Sequence, residues 1–307
     1  MKNNRKSIII YLVLVFVLTY LFEILAVAPR YAAVNSGETT DRMAAALTMA
    51  MVAMCMFLPT LCVLITRAIT GDWENCYLRP NFKGNAVPYL IGWFGPLVLI
   101  IIGAVVWFLL HPETFTSFAN PYAEQLPGVA GIVLFVLLLL LAPLLNLITC
   151  FGEEWGWRGF LMPKLHERYS FSKAAFLTGI IWGLWHAPLI AVGHNYHQIL
   201  GVSSPWMVVA AIFAMCVFCV VAAFLFGYIS ERAKSVWPAV LAHGSMNGAA
   251  ALPLMFTAAM SDPSQANTMF NPFVGPLSTG IIGGIGFIVA AIIIFFVMHR
   301  KEGKLSA

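Results

Sequence analysis

Charge is what this 307-residue chain has least of: 10% of it is Asp, Glu, Lys or Arg, while 61% is hydrophobic. A soluble domain carries about 25% charged residues, so a soluble globular protein is excluded. Seventeen Lys and Arg against thirteen Asp and Glu give a net charge of only +4. That is too little for the clustered basic face of a nucleic-acid binder, and no nucleic-acid partner is expected. Paired cysteines are missing too. Cys55, Cys62, Cys150, Cys216 and Cys219 lie in apolar runs and Cys76 stands alone in a loop, which excludes a disulfide framework and a CxxC zinc site. Cys216 and Cys219, one helical turn apart, read as small packing residues. There is no HExxH pair, no GxSxG elbow, no Asp inside an apolar run to build an aspartyl dyad, and no internal repeat.

What the chain has instead is apolar length. Runs near 8–28, 43–69, 86–110, 129–151, 172–193, 206–230, 236–258 and 277–298 each suffice for a bilayer crossing of about 20 residues. The fourth is expected to run on to about 160, because the polar residues beyond Phe151 keep helical spacing. The expected fold is an all-α polytopic membrane protein of eight transmembrane helices, one domain over 1–307. The first run follows Lys2, Arg5 and Lys6, and Ala26-Val27-Ala28 resembles a cleavage site. Its 21 residues exceed the usual signal-peptide core of about 7–15, so we read it as an uncleaved first helix. With the N-terminus cytoplasmic, inner segments hold 15 of the 17 Lys and Arg, and outer loops hold only Arg30 and Arg42. The positive-inside rule then puts both termini in the cytoplasm.

Ionisable groups inside spans are costly and point to function. Glu23 stands alone near the outer end of span one and reads as a structural carboxylate whose substitution does little. The others cluster in three stretches. In Phe151-Gly-Glu-Glu-Trp-Gly-Trp-Arg-Gly-Phe160, Glu154 and Arg158 are four apart and share a helix face. Glu153 is turned about 100° from them, free of that pair. Trp182-Gly-Leu-Trp-His186-Ala-Pro188 puts a histidine inside span five before a proline kink, where a freed backbone carbonyl needs a partner. His243-Gly-Ser-Met-Asn247 puts His and Asn on one face of span seven. Helical rise places His243 roughly 10 Å and His186 roughly 20 Å from the inner ends of their spans. Each helix also carries a GxxxG ridge: Gly152/Gly156, Gly179/Gly183 and Gly244/Gly248; Gly280/Gly284 repeats the spacing in span eight without polar company. Ridges of this kind let membrane helices approach closely, and the conjunction predicts one shared polar site.

Carboxylate, imidazole and carboxamide in one cavity suit hydrolysis. A shielded carboxylate can act as general base, and His or Asn donors can hold the oxyanion of a scissile carbonyl. Zinc held by Glu153, His186 and His243 is an alternative use of the same side chains. His194 and His197 form an HxxH in an outer loop, which we read as solvated.

Glu153-Glu154-x-x-x-Arg158, Trp182-x-x-x-His186 and His243-x-x-x-Asn247 resemble the EExxxR, FxxxH and HxxxN motifs of the CPBP family. That group is named for CAAX proteases and bacteriocin-processing enzymes and includes the Rce1-type endopeptidases. The resemblance covers about residues 129–255, and Trp182 departs from the family's usual Phe. It implies an eight-helix, glutamate-dependent intramembrane protease whose site opens to the cytosol. Carried over by position, Glu153 activates water with help from His186, His243 and Asn247 form the oxyanion hole, and Glu154 and Arg158, with Trp182, organise the site. No cofactor is expected, with zinc as the alternative, since the family has also been described as metal-dependent. The expected partners are the lipid bilayer and a peptide or membrane-protein substrate, and the expected location is a bacterial plasma membrane. Two other classes compete. A non-catalytic membrane regulator or immunity protein would be favoured by a degenerate site, whereas here every polar motif residue is present. A transporter with a proton relay would show inverted repeats or paired broken helices, and neither is seen.

Overall fold

The computed structural model describes residues 2–35, 38, 41–74, 76–196, 204–258 and 271–305. Among them all regular structure is helical, as the apolar runs require when backbone groups must be satisfied within lipid. Helix α1 (Lys2–Phe22) continues through a π turn (Glu23–Val27) into α2 (Ala28–Asn35). The pair α3 (Arg42–Cys55) and α4 (Leu58–Thr70) follows, with Pro59 in the first turn of α4 and Gly71 closing it in the left-handed conformation. Then come α5 (Ala86–Leu110), α6 (Val129–Leu145), α7 (Leu147–Gly156), a second π turn (Trp157–Leu161) and α8 (Met162–His166). The rest is α9 (Phe171–Trp185), α10 (Ala187–Ala191), α11 (Pro205–Ala233), α12 (Trp237–Ala249) and α13 (Ile285–Leu305).

Four of these stretches, Asn4–Val34, Arg42–Thr70, Ala86–Leu110 and Pro205–Ala233, are long and apolar enough to cross a membrane. The pair Val129–Leu145 and Leu147–His166, bent by 41°, makes a fifth among the described residues. The chain is therefore a polytopic helical membrane protein. The expected fourth span does continue past 160, but as a helix broken at Asn146, whose side-chain amide caps the Ala142 carbonyl at 3.0 Å just after Pro143. Span five is interrupted at His186, ahead of Pro188 in the first turn of α10. Pro188 cannot donate to the Leu184 carbonyl four residues back, and the Tyr20 hydroxyl donates to it instead, at 2.6 Å. Helix α12 stops at Ala249, before a 3-10 turn at Leu252–Phe256. The last helix begins at Ile285, so Gly280 and Gly284 lie in turns and not on a helical ridge. There a Cβ on Gly280 would stand 2.6 Å from the Gly275 nitrogen, and one on Gly284 2.5 Å from the Ser278 carbonyl oxygen. The expected helical continuation gives way to a folded turn that only glycine fits.

The three ridges in the polar stretches do pack. A Cβ on Gly152 would meet the Met56 carbonyl oxygen at 2.6 Å, and one on Gly156 would meet Pro59 Cβ and the Tyr11 hydroxyl at 2.5 Å. Gly179 and Gly183 face Val220 and Cys216 on α11, where a Cβ would come within 2.3 and 2.4 Å of their Cα atoms. Gly244 and Gly248 face Pro143 and Ala142 of α6. These contacts draw α7, α9 and α12 into one bundle and bring their polar faces inward.

Candidate active site

Two adjacent carboxylates have different partners. Glu154 Oε1 accepts from Arg158 Nη1 at 3.0 Å and from His243 Nδ1 at 2.9 Å. Both Glu154 and Arg158 are buried, so this triad of one anion and two nitrogen donors is shielded from solvent, where breaking a charge pair is expensive. Arg158 has a further stabiliser in its stacking: its guanidinium carbon lies 4.1 Å from the Trp182 ring centre and 5.1 Å from that of Phe226.

Glu153 faces away from this triad, as its offset around the helix predicts. Its Oε2 accepts two indole N–H groups, from Trp182 at 2.9 Å and from Trp157 at 3.4 Å. The Trp182 donor comes from the position where the family motif carries Phe, which has no N–H to give. Trp157 escaped attention in the sequence, although its i+4 spacing from Glu153 puts the two on one face. Trp182 is the hub of the cluster, with ring centres 5.9 Å from His186 and 5.5 Å from His243.

The hydrogen bonds fix the role of Nδ1 in each histidine. His186 Nδ1 is 2.8 Å from the Trp182 carbonyl oxygen, which can only accept, so Nδ1 donates and Nε2 of the neutral ring is an acceptor. His243 Nδ1 donates to Glu154. Its Nε2 is thus left for another partner.

Asn247 is placed differently. One turn beyond His243, it is exposed, and its Nδ2 donates weakly to Cys150 Sγ at 3.8 Å; among the described residues it makes no hydrogen bond to Glu153 or to either histidine. His194 is half-buried, with Nδ1 3.3 Å from the Tyr31 hydroxyl, so it is not the solvated residue expected; His197 lies outside the described residues. No group of three His, Cys, Asp or Glu stands as a metal-ligand set among the described residues, so the zinc alternative finds no assembled donor set.

Residues 134–249 match the model of the type II CAAX prenyl endopeptidase Rce1-like family. The curated CAAX prenyl protease 2 of Methanococcus maripaludis is 45% identical over 62 residues, which is 20% of this chain and 23% of that protein. Over residues 134–249 the chain resembles the Rce1-like family. The matched stretch spans about a quarter of the curated relative's length.

All seven motif positions, from Glu153 to Asn247, lie inside the stretch 134–249. Outside it, the loop between α4 and α5 closes over one end of the cluster. Trp155 donates to the Cys76 carbonyl at 3.0 Å, Trp237 to the Leu78 carbonyl at 2.7 Å, and Val236 N–H to the Tyr77 carbonyl at 2.9 Å. A cavity of about 830 Å³ beneath this loop is lined by Tyr77, Arg79, Asn81, His166, Glu231 and Lys234. Asp72 anchors the loop through an ion pair with Lys164. Burial alone would raise the Asp72 carboxyl, but the Lys164 hydrogen bond and charge outweigh it and hold it below the usual carboxylate range.

Proposed function

We propose that this chain is an intramembrane endopeptidase that hydrolyses a peptide bond of a membrane-associated peptide or protein near the cytosolic face. The observation that carries the reading is the division of labour between Glu153 and Glu154. One carboxylate is tied through Oε1 to the two cationic or imidazole donors Arg158 and His243, while its neighbour is held, among the described residues, by indole N–H groups and keeps lone pairs for a water. Glu153 takes a proton from that water as its oxygen attacks the scissile carbonyl carbon, and His186 Nε2 accepts the water's second O–H. The developing oxyanion accepts from His243 Nε2–H, which the ring offers as the imidazolium paired to Glu154, and from the Asn247 carboxamide. Glu153 then passes its proton to the amide nitrogen, the C–N bond breaks, and an acid and an amine leave. Asn247 reaches the oxyanion by a side-chain rotation from its contact with Cys150.

Eight spans complete the reading. Counting α9–α10, α12 with the turn after it, and α13 as crossings alongside the five long ones restores the Lys and Arg alternation of the loops. Both termini are then cytoplasmic and the membrane is a bacterial plasma membrane. The similarity to a CAAX prenyl protease supports a substrate that is itself held at the membrane. No metal enters the proposed step.

The test is cleavage of a quenched-fluorescent peptide library by purified protein, wild type beside Glu153→Gln, with and without a zinc chelator. Cleavage lost in the variant and retained with chelator supports the reading. Loss with chelator, restored by zinc, overturns the metal-free step, and cleavage by Glu153→Gln overturns the assignment of the base.

A further inference from the structure

Glu23, set aside in the sequence as a lone structural carboxylate, is fully buried. Neither of its carboxyl oxygens is paired with an N–H or O–H among the described residues; the group beside them is the Cys55 thiol, a weak donor. Such a carboxyl is costly to bury unless something satisfies it, and internal water is the usual partner for buried polar atoms that the protein leaves unpaired.

Its surroundings connect it to the candidate site from two sides. Glu23 opens the first π turn, an irregularity that widens the helix and often marks functional positions. That turn packs against α3 and α10. One helical turn earlier, Thr19 Oγ accepts the Trp185 indole N–H at 2.9 Å, and Trp185 lies beside His186 with ring centres 4.9 Å apart. On the other side, Cys55 ends α3 immediately before Met56, whose carbonyl oxygen packs on Gly152 next to Glu153. Glu23 is thus linked to the segment that carries His186 through α10 and Trp185, and to the helix that carries Glu153 through α3. Nothing in the family match supplies it, since it lies well outside residues 134–249.

We propose that Glu23 is a positioning residue of the hydrolytic site, its carboxyl holding an internal water adjacent to the one that Glu153 and His186 activate. Hydrolysis in a closed bundle consumes a water at each turnover, and a polar anchor from the first helix keeps the next one in place. The inference rests on the hydrolytic reading above.

Two variants and an activity-independent measurement test it. Glu23→Gln keeps a donor and an acceptor in the same shape and should cleave within about twofold of wild type. Glu23→Leu removes both, and should lower kcat about tenfold, the worth of one well-placed hydrogen bond, with KM unchanged. Its thermal midpoint should stay near wild type, because an apolar side chain of similar size removes the carboxyl and the water it holds together and leaves no buried polar group unsatisfied. Wild-type kcat in Glu23→Leu overturns the proposal. So does a fall in kcat paralleled by a fall in thermal midpoint, or a Glu23→Gln variant as impaired as Glu23→Leu. In the infrared difference spectrum of wild type minus Glu23→Gln, the Glu23 carboxyl band should shift on transfer to D2O; an unshifted band means a dry site and also overturns it. Glu153→Gln run on the same substrate separates the two failures: if it cleaves, the hydrolytic reading has failed, whereas if it is dead while Glu23→Leu is normal, only the role of Glu23 has.

Discussion

The Trp182 indole N–H donates to Glu153 Oε2 at 2.9 Å, while the face of the same ring lies 4.1 Å from the Arg158 guanidinium. One side chain therefore fixes the free carboxylate through its edge and the paired cation through its face. Trp182→Phe keeps the stacking surface and removes the donor. A hydrogen bond to a charged group is worth about 1.5–3 kcal/mol. Because Trp157 also donates, the expected loss in kcat is at the lower end, about tenfold. The double variant Trp157→Phe/Trp182→Phe should lose distinctly more. Steady-state rates of the three proteins check this, and equal rates for wild type and double variant would refute the clamp.

Glu154 has a different job, and its loss should look different. Glu154→Ala strands Arg158 and His243 in the interior, at about 3–5 kcal/mol for a broken buried pair. The expected outcome is a lowered thermal midpoint in detergent together with lost activity. Glu153→Gln should leave the midpoint near wild type.

The glycine ridges predict a stability pattern that is independent of catalysis. Gly179→Ala and Gly183→Ala would push a Cβ to 2.3 and 2.4 Å from backbone atoms of α11, so the helices must separate and the protein should be destabilised by about 1–3 kcal/mol as in other overpacked cores. Gly95→Ala meets a single side-chain methyl, Ile91 Cγ2, at 3.3 Å and no backbone atom within 4 Å, and should be tolerated. Thermal unfolding of the three variants distinguishes ridge from background.

The Asp72–Lys164 pair gives a pH dependence with a fixed sign. The folded Asp72 carboxyl is held below its ordinary value, so its stabilising contribution is fully present above the unfolded pKa of about 3.9. It is lost as pH falls through the lower folded value. Asp72→Asn should therefore lower the thermal midpoint at neutral pH by an amount that shrinks on acidification below about pH 4. A difference that grows with acid would contradict the pairing.

Cys76 reports on topology. The other five cysteines are buried, and Cys76 is partly exposed in the loop after α4. If that loop is cytoplasmic, a membrane-impermeant maleimide should label Cys76 in permeabilised cells and inverted vesicles, and not in intact cells. Labelling of intact cells would reverse the orientation.

Much of the site was legible from local spacing alone. The separation of Glu153 from the Glu154–Arg158 pair follows from 100° per residue, and the need for a partner at the carbonyl behind Pro188 follows from its missing N–H. Neither rule names the partner. Tyr20 and His243 come from other helices, and their meeting with Leu184 and Glu154 depends on packing that hydropathy does not encode. The same limit explains the segment before α13: its apolar composition suits a helix, but Gly280, Gly283 and Gly284 are needed where backbone meets backbone in a turn. The surroundings of Glu23 were not legible either, because a single residue in a run of apolar ones says nothing about which neighbours bury it.

In the proposed mechanism Glu153, and not its neighbour, activates water. It is tested most directly by single-turnover cleavage of one identified substrate by Glu153→Gln, with the folded fraction of each preparation measured alongside. The expected result is a protein folded like wild type with no detectable cleavage. A folded Glu153→Gln that still cleaves at a measurable fraction of the wild-type rate would contradict it.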